Sequence, residues 1–220
     1  MTRQALIVGA APRLHAEGFY RDLLTSFDVV LACDGAGEWA LARGRVPDYA
    51  IGDFDSAEPG AQQRLRAAGA TVLQFPRQKD QTDLDLAAAH AAALGVDTLA
   101  FTAAFRGRLD HTLAAIGTMR RHARLLPTML EPDFTGWLLA PEGRAELSFE
   151  APAGAVFSVV AIEEITGLHV SGARYDTHER PVEVLSGQTV SNESVGFPVH
   201  IRLAEGSALV LLMHSLHNGL

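Results

Sequence analysis

The chain has 220 residues, of which 48% are hydrophobic and 20% are charged, and this composition excludes a disordered polypeptide. Its formal net charge of −8 argues against nucleic acid as the main partner, because proteins that bind nucleic acid usually carry a basic surface. The apolar runs are too short to cross a bilayer and the N-terminus lacks a secretory signal pattern, so we expect no membrane partner. The single cysteine, Cys33, excludes an internal disulfide framework, fits a cytoplasmic protein and is expected in the core.

The first half of the chain alternates short apolar runs with helical patterns. Strands are predicted over Ala5–Ala11, Val29–Cys33, Asp48–Ile51, Thr71–Phe75 and Thr98–Ala103. Helices are predicted over Gly18–Ser26, Gly35–Arg43, Pro59–Ala68, Thr82–Leu94 and Leu109–Ala123. This alternation is typical of an α/β fold with a parallel sheet covered on both faces. Ligands of such sheets bind beyond the carboxyl ends of the strands.

The second half changes to short β-type segments separated by turns that contain glycine. These segments cover Ala155–Ile162, Ile165–Val170, Thr189–Ser191, Pro198–Leu203 and Ala208–His214. Closely spaced strands with turn signals predict an antiparallel sandwich or barrel as a second, smaller domain, of which we favour the sandwich. We therefore expect an α/β domain over residues 1–142 and a β-sandwich domain over residues 143–220.

Two carboxylates, Asp53 and Asp55, follow the apolar stretch predicted as the third strand. Side chains two residues apart on a strand point to the same side, so the two acids can converge on one cation. Mg²⁺ prefers carboxylate oxygens and usually binds together with substrate phosphates. Ordinary turn chemistry, with Ser56 as a possible helix start, explains the same residues. The segment alone leaves both interpretations open.

A second polar cluster opens the fourth predicted helix. Thr82 and Asp85 have nearly the spacing and chemistry of a capping box, which accounts for these two residues without a ligand. A helix N-terminus is also an anion site, because its first N–H groups are free and its dipole is positive. Lys79 lies just ahead of it and can serve phosphate. Asp83, in the first turn, can share a metal with the acids after the third strand.

A third polar cluster, Arg106-Gly-Arg-Leu-Asp-His111, leads from the fifth strand into the fifth helix. Gly107 allows the backbone to approach a ligand closely, and the two arginines offer planar donors for phosphate. An exposed basic turn, with Asp110 as a helix N-terminal charge, explains the same pattern. His111 alone decides nothing between these interpretations.

Taken together, the three clusters resemble the thiamine pyrophosphokinase family. The resemblance is carried by three motifs in order and by a fourth far downstream: Gly52-Asp-Phe-Asp-Ser56, Lys79-Asp-Gln-Thr-Asp83, Gly107-Arg-Leu-Asp-His111 and Ser191-Asn-Glu193. It implies Mg²⁺-dependent transfer of the diphosphate of ATP to the hydroxyethyl group of thiamine, which yields thiamine diphosphate and AMP. It also implies a nucleotide-binding domain, a β-sandwich domain and a homodimer with active sites between subunits.

The resemblance also implies individual roles for the matching residues. The acids that would hold Mg²⁺ are Asp53, Asp55 and Asp83, and the catalytic set adds Asp110 to them. The residues that would bind ATP and its phosphates are Asp34, Lys79, Thr82, Arg108 and His111. Thiamine would contact Ser191 and Asn192, contributed by the other subunit, and the candidates for an aromatic contact are Trp137 and Phe197.

Other functions fit parts of the pattern. Diphosphate transfer to another hydroxymethyl heterocycle, such as a pterin, would need the same phosphate-side motifs. A phosphatase with an Asp-x-Asp nucleophile would leave the second and third clusters without a role. A catalytically silent nucleotide or thiamine sensor could be built on the same fold, because fold alone does not imply activity.

Replacement of Asp55 by asparagine tests the predicted metal site. The substitution keeps the side-chain shape and removes the charge, so we expect a folded protein whose turnover falls by orders of magnitude. Steady-state kinetics with ATP, Mg²⁺ and thiamine measure this effect. Near-normal turnover would remove Asp55 from the mechanism.

Overall fold

The computed structural model describes residues 2–55 and 57–214, so Ser56 lies outside the described residues. The Cα positions divide the chain into two compact units, residues 1–121 and 122–220. This division lies earlier than the domain boundary that the sequence predicts, because two strands soon after residue 122 pair within the second unit. In the described part of the chain, the helices lack the length and apolar character needed to span a membrane.

The first unit contains a parallel five-stranded sheet. Its strands are β1 (Gln4–Val8), β2 (Val29–Cys33), β3 (Tyr49–Gly52), β4 (Thr71–Gln74) and β5 (Thr98–Thr102), in the order β5-β1-β2-β3-β4. The helices between and after them are α1 (Glu17–Thr25), α2 (Ala36–Leu41), α3 (Ala61–Ala68), α4 (Asp83–Ala93) and α5 (Leu109–Arg121). All ten elements confirm the predicted order, and their ends differ from the predicted ends by a few residues.

The central strands explain why this sheet is parallel. Every residue of β2 is buried, and so are the last four of β1 and of β5. Strands with continuous apolar sequence are covered on both faces, which requires helical crossovers. Cys33 is 3% exposed and lies at the end of β2, which confirms the prediction of a core position.

The second unit contains two antiparallel sheets. Its strands are β6 (Thr128–Glu131), β7 (Phe134–Leu139), β8 (Glu146–Phe149), β9 (Val156–Ala161), β10 (Ile165–Ser171), β11 (Thr177–Val182), β12 (Asn192–Glu193), β13 (Val199–Arg202) and β14 (Ala208–Met213). Within this unit the strand orders are β12-β9-β14-β7-β6 and β11-β10-β13-β8. One core of buried side chains from both sheets, including Phe157, Leu168, Ile201 and Val210, confirms the predicted sandwich.

One predicted strand of this unit is wrong. Over Thr189–Ser191 the chain instead completes a 3₁₀ turn, Gly187–Thr189, and a two-residue strand follows at β12. Ser186 accepts the N–H of Gln188, which starts the turn. Ser191 has a φ of 58°, outside the β region. Local capping therefore overrides the β-type pattern of this segment.

Five strands of this unit escaped the sequence prediction: β6, β7, β8, β11 and the short β12. In β11 the sequence Thr-His-Glu-Arg-Pro-Val has mostly exposed side chains and no apolar alternation. In β7, Gly136 interrupts the apolar pattern. The space beside it is filled by neighbouring strands, because a Cβ on Gly136 would lie 2.9 Å from both the Leu211 and the Met129 side chains. Neighbouring strands, rather than local sequence, stabilise these segments.

A pair of glycine substitutions tests the packing of the first unit. A Cβ on Gly9 would overlap the carbonyl oxygen of Ala103, so we expect Gly9→Ala to cost about 1 to 3 kcal/mol. Gly18 in α1 has open space around it, so Gly18→Ala should stabilise the protein by about 0.5 to 1 kcal/mol. Urea unfolding followed by circular dichroism measures both changes. A Gly9→Ala protein as stable as Gly18→Ala would contradict this packing.

Candidate active site

Asp34 occupies the edge of the sheet at the end of β2. Its φ of 46° is rare for a residue other than glycine, and its N–H donates to the Ile51 carbonyl at 3.0 Å. Its Oδ1 accepts the N–H of Phe54 at 3.1 Å. A Cβ on Gly52 would overlap this carboxylate. Gly52 therefore allows Asp34 to join the ends of β2 and β3.

The ionised form of Asp34 is disfavoured in this position. Burial, followed by the hydrogen bond and charge of the neighbouring Asp83 carboxylate, raises the pKa of Asp34 to about 7. The Phe54 N–H acts in the opposite direction. Two carboxyl groups that repel each other in a cavity are typical of a site that binds a cation or holds a proton.

Asp53 and Asp55 lie in a turn rather than on the strand. Because β3 ends at Gly52, strand alternation does not orient their side chains as the sequence predicted. Asp53 Oδ1 accepts the N–H of Asp55 at 3.0 Å, and this bond is the main cause of a lowered Asp53 pKa. Phe54, between them, has a φ of 59°. The turn chemistry that competed with the metal interpretation is therefore present.

Lys79 connects two of the predicted metal ligands. Its Nζ lies 3.0 Å from Asp83 Oδ1 and 3.8 Å from Asp53 Oδ2, and all three side chains are at most 20% exposed. Arg77 Nε lies 3.2 Å from Asp55 Oδ2 in a more exposed pair. Each of the three predicted metal acids therefore has a basic partner.

The N-terminus of α4 is fixed by a complete capping box. Thr82 Oγ1 accepts the N–H of Asp85 at 3.1 Å, while Asp85 Oδ2 accepts the N–H of Thr82 at 3.0 Å and its hydroxyl at 2.9 Å. The other oxygen of Asp85 binds Thr118 and Arg121 on α5. Although burial opposes it, these bonds lower the pKa of Asp85. The Thr82 hydroxyl, predicted to contact phosphate, is used in the cap.

Arg108 and Asp110 pair with each other at the start of α5. Arg108 donates from Nε to Oδ1 at 3.1 Å and from Nη2 to Oδ2 at 2.5 Å. This pair lowers the Asp110 pKa to about 2, and both side chains are more than 60% exposed. The N–H of His111 donates to Asp110 Oδ1 at 3.0 Å. Before them, Gly107 has a φ of 81° and lies against Pro12.

A cavity of about 330 Å³ unites most of these groups within the first unit. Its polar lining comprises Asp34, Arg77, Lys79, Gln81, Thr82, Asp83, Arg106, Arg108 and His111. One wall, Ala10–Pro12, follows β1, and sequence reasoning missed both this wall and Arg77. The sequence does indicate this wall, because Ala10–Pro12 follows a strand at the same edge of the sheet as the other polar clusters.

The acidic groups are only partly arranged as a metal site. Among residues 2–55 and 57–214, no three His, Cys, Asp or Glu side chains converge closely enough to hold a metal ion. However, Asp83 Oδ1 is buried with the Lys79 ammonium as its close partner, and the Asp34 carboxyl lies beside Asp83. Such a pair fits a hard divalent cation that takes its remaining oxygen ligands from water or phosphate. Lys79 supplies the positive charge there in this structure.

The residues predicted to contact thiamine belong to the second unit. Asn192 is buried, accepts the N–H of Tyr175 at 3.1 Å and donates to the Tyr175 carbonyl at 2.9 Å. Ser191 is exposed, and its N–H donates to Ser158 Oγ at 3.0 Å. Asn192 thus has a structural role that its sequence motif did not reveal.

The two candidate aromatic residues differ in exposure. Trp137 stacks on Phe149 with ring centroids 5.5 Å apart, whereas Phe197 is 71% exposed. Phe197 is therefore the more accessible of the two in the described structure.

Comparison with known proteins identifies the family. The model of the thiamin pyrophosphokinase catalytic domain matches residues 20–129, which is half of the chain and includes the whole Asp34 to His111 region. The chain belongs to the thiamine pyrophosphokinase family. The family consists of ATP-dependent enzymes that generally need a divalent metal, which agrees with a cavity that has both basic and acidic linings.

Individual thiamine pyrophosphokinases agree with this assignment. The enzyme of Bacillus subtilis (strain 168) is 24% identical over 172 residues, which cover 78% of this chain and 80% of that protein. The crystal structure of the Bacillus subtilis enzyme matches with a TM-score of 0.82 and 23% identity, covering 97% of this chain and 100% of the other. The yeast enzyme matches with a TM-score of 0.77 and 15% identity, covering 96% and 86%. These structural likenesses show the shared fold.

Removal of the Asp85 carboxylate tests how the site is anchored. Asp85→Ala deletes half of the capping box and the links to α5, so we expect a loss of about 2 to 3 kcal/mol in unfolding free energy. Asp80→Ala changes an exposed acid nearby and should stay within about 0.5 kcal/mol of the unmodified protein. Urea unfolding measures both. Equal stability of the two variants would show that the cap does not anchor α4.

Proposed function

We propose that this chain transfers the diphosphate of ATP to the hydroxyethyl oxygen of thiamine, giving thiamine diphosphate and AMP. The observation that carries the proposal is the cavity at the carboxyl edge of the parallel sheet. It combines four basic side chains with the Asp34 and Asp83 carboxyls, in a chain of this family. A triphosphate needs that combination, because its negative charge must be met by cations as well as by hydrogen-bond donors.

The basic side chains would bind the phosphates. Lys79 already contacts two carboxylates and can exchange one of them for a phosphate oxygen. Arg108 presents an exposed guanidinium, which suits phosphate recognition through two parallel hydrogen bonds. The N-terminus of α4 adds free N–H groups next to Lys79. Thr82 would act there mainly by fixing that helix end, and Asp34 and His111 complete the proposed ATP-binding set.

Mg²⁺ is the proposed metal. Asp83 would hold it, with Asp53 and Asp55 from the neighbouring turn and with Asp34 close to Asp83. When bound, the ion would neutralise charge on the phosphates and on the leaving AMP oxygen. The chain's own part is to keep these carboxylates at one sheet edge, so that the acceptor hydroxyl and the phosphate can be aligned.

Asp110 would act through Arg108. A carboxylate whose pKa is about 2 is a weak proton acceptor at neutral pH, so Asp110 suits the orientation of a guanidinium better than removal of the thiamine hydroxyl proton. This role keeps Asp110 in the catalytic set as a positioning residue.

The thiamine pocket is proposed to involve the second unit of a partner copy in a homodimer. Ser191 has an exposed side chain, and Asn192 fixes the backbone of Tyr175, so the segment can present a rigid surface. Phe197 offers an exposed aromatic face to the ring of the substrate. We further propose a cytoplasmic location, which the free and buried Cys33 supports.

An acceptor assay separates the candidate functions. The protein is incubated with ATP, Mg²⁺ and thiamine, or with a hydroxymethyl pterin instead, and the products are identified by mass spectrometry. AMP and thiamine diphosphate are the expected products. A pterin diphosphate would identify the other acceptor, and phosphate release without any acceptor would indicate a phosphatase. Binding of ATP and thiamine without AMP formation would indicate a sensor.

Replacement of Lys79 tests the phosphate site. Lys79→Met removes the ammonium group between Asp53 and Asp83, so we expect turnover to fall by about 10²- to 10³-fold, as for loss of a single charge-stabilising donor. Arg64→Met is the matched control, because Arg64 pairs with Glu38 away from the cavity lining. Steady-state kinetics measure both. An equal, small effect of the two substitutions would exclude Lys79 from catalysis.

A further inference from the structure

A bulge in the smaller sheet of the second unit brings two histidines together. The pairing of β10 with β11 shifts register between Leu168 and Val170, so His169 alone faces two residues of β11, His178 and Glu179. Glu179 has a φ of 49°, which is rare for a residue other than glycine. Bulges re-aim side chains and recur beside functional sites. This backbone irregularity therefore has a specific result, the contact between the two imidazoles.

The two imidazoles are spaced for a shared metal ion. The Nδ1 atoms of His169 and His178 lie 3.1 Å apart, and the ring centroids lie 4.8 Å apart. Two imidazole nitrogens at the usual zinc distance of about 2.0 to 2.1 Å, in tetrahedral geometry, are separated by about 3.3 Å. The separation of the two nitrogens therefore needs to change by only a few tenths of an ångström for both of them to bind one ion. We propose that His169 and His178 bind a divalent transition-metal ion such as Zn²⁺ or Cu²⁺.

The surrounding charges permit a cation here. Arg202 lies opposite His169 on β13, but its Nη2 is paired with Glu179 Oε1 at 3.0 Å. Glu146 is the register partner of Arg202 on β8 and adds another carboxylate to the same sheet. The positive charge of the arginine is therefore offset beside the histidine pair.

The remaining coordination positions would be open. His169 is half-buried at a cavity of about 340 Å³, and His178 is exposed. Within residues 2–55 and 57–214, no third His, Cys, Asp or Glu joins the pair as a ligand. Water, or an external ligand, would complete the coordination, as in zinc sites that keep an open position.

This site differs in chemistry from the acidic cavity of the first unit. Carboxylate oxygens select hard ions such as Mg²⁺, whereas imidazole nitrogens select Zn²⁺, Cu²⁺ or Ni²⁺. A bound ion would also join β10 to β11 at the point where their hydrogen-bond ladder is interrupted. The ion would therefore restrain β11, Thr177–Val182, which is mostly exposed.

Calorimetric titration of the untagged, full-length protein with Zn²⁺ tests the proposal. Excess Mg²⁺ is present throughout, so that the acidic cavity does not take up Zn²⁺. We expect one equivalent of Zn²⁺ per chain, and nitrogen hyperfine coupling in the electron paramagnetic resonance spectrum when Cu²⁺ is used instead. His169→Gln and His178→Gln should each lose this binding step. His15→Gln, which changes an exposed histidine on the loop after β1, should retain it.

Hydrogen exchange provides a measurement that needs no variant. Addition of Zn²⁺ should slow amide exchange in β11 of the unmodified protein, while exchange in β1 to β5 stays unchanged. Absence of a stoichiometric binding step would overturn the proposal and leave a histidine to histidine hydrogen bond. Equal binding by all four proteins, or unchanged exchange in β11, would overturn it as well.

Discussion

Burial of the central parallel strands on both faces is the constraint on which the site depends. In β2 all five residues are buried, so the chain can present polar side chains only where the strand ends. Because the strands are parallel, those ends share one edge of the sheet. Asp34, the turn at Asp53 and Asp55, and the segment before α5 are therefore neighbours in space although they are distant in sequence. The cavity is a consequence of the way the core is covered.

Pairing of opposite charges determines how the polar side chains are arranged at that edge of the sheet. Asp34 is desolvated next to Asp83, which raises its pKa to about 7, while Lys79 lies between Asp83 and Asp53. Arg77 and Arg108 balance Asp55 and Asp110 in more exposed positions. These side chains form a network of opposite charges, in which the proposed phosphate and metal ion would compete for the same partners. The capping box at Thr82 and Asp85 keeps one side of that network fixed.

The second unit is built from antiparallel sheets instead of a parallel one. Its two antiparallel sheets share an apolar core, and β11, at the edge of the smaller sheet, carries mostly exposed side chains. Left-handed residues other than glycine occur in this unit at Leu126, Glu179, Leu185 and Ser191. Such residues cost stability and persist only when their surroundings hold them. At Ser191 the support is the Ser158 hydroxyl, and at Glu179 it is the pair with Arg202.

The sequence by itself determined the α/β class, all ten elements of the first unit, the sandwich of the second and the polar clusters of the site. Apolar runs, helix caps and motif order are local, and they can be read without a structure. Only the tertiary structure decided that β6, β7, β8, β11 and β12 are strands, because partners distant in sequence stabilise them. The basic partners of Asp53, Asp55 and Asp83, the structural role of Asn192 and the meeting of His169 with His178 also depend on distances across the fold. Local sequence does not encode those distances, since they arise only when several strand ends and one bulge are packed together.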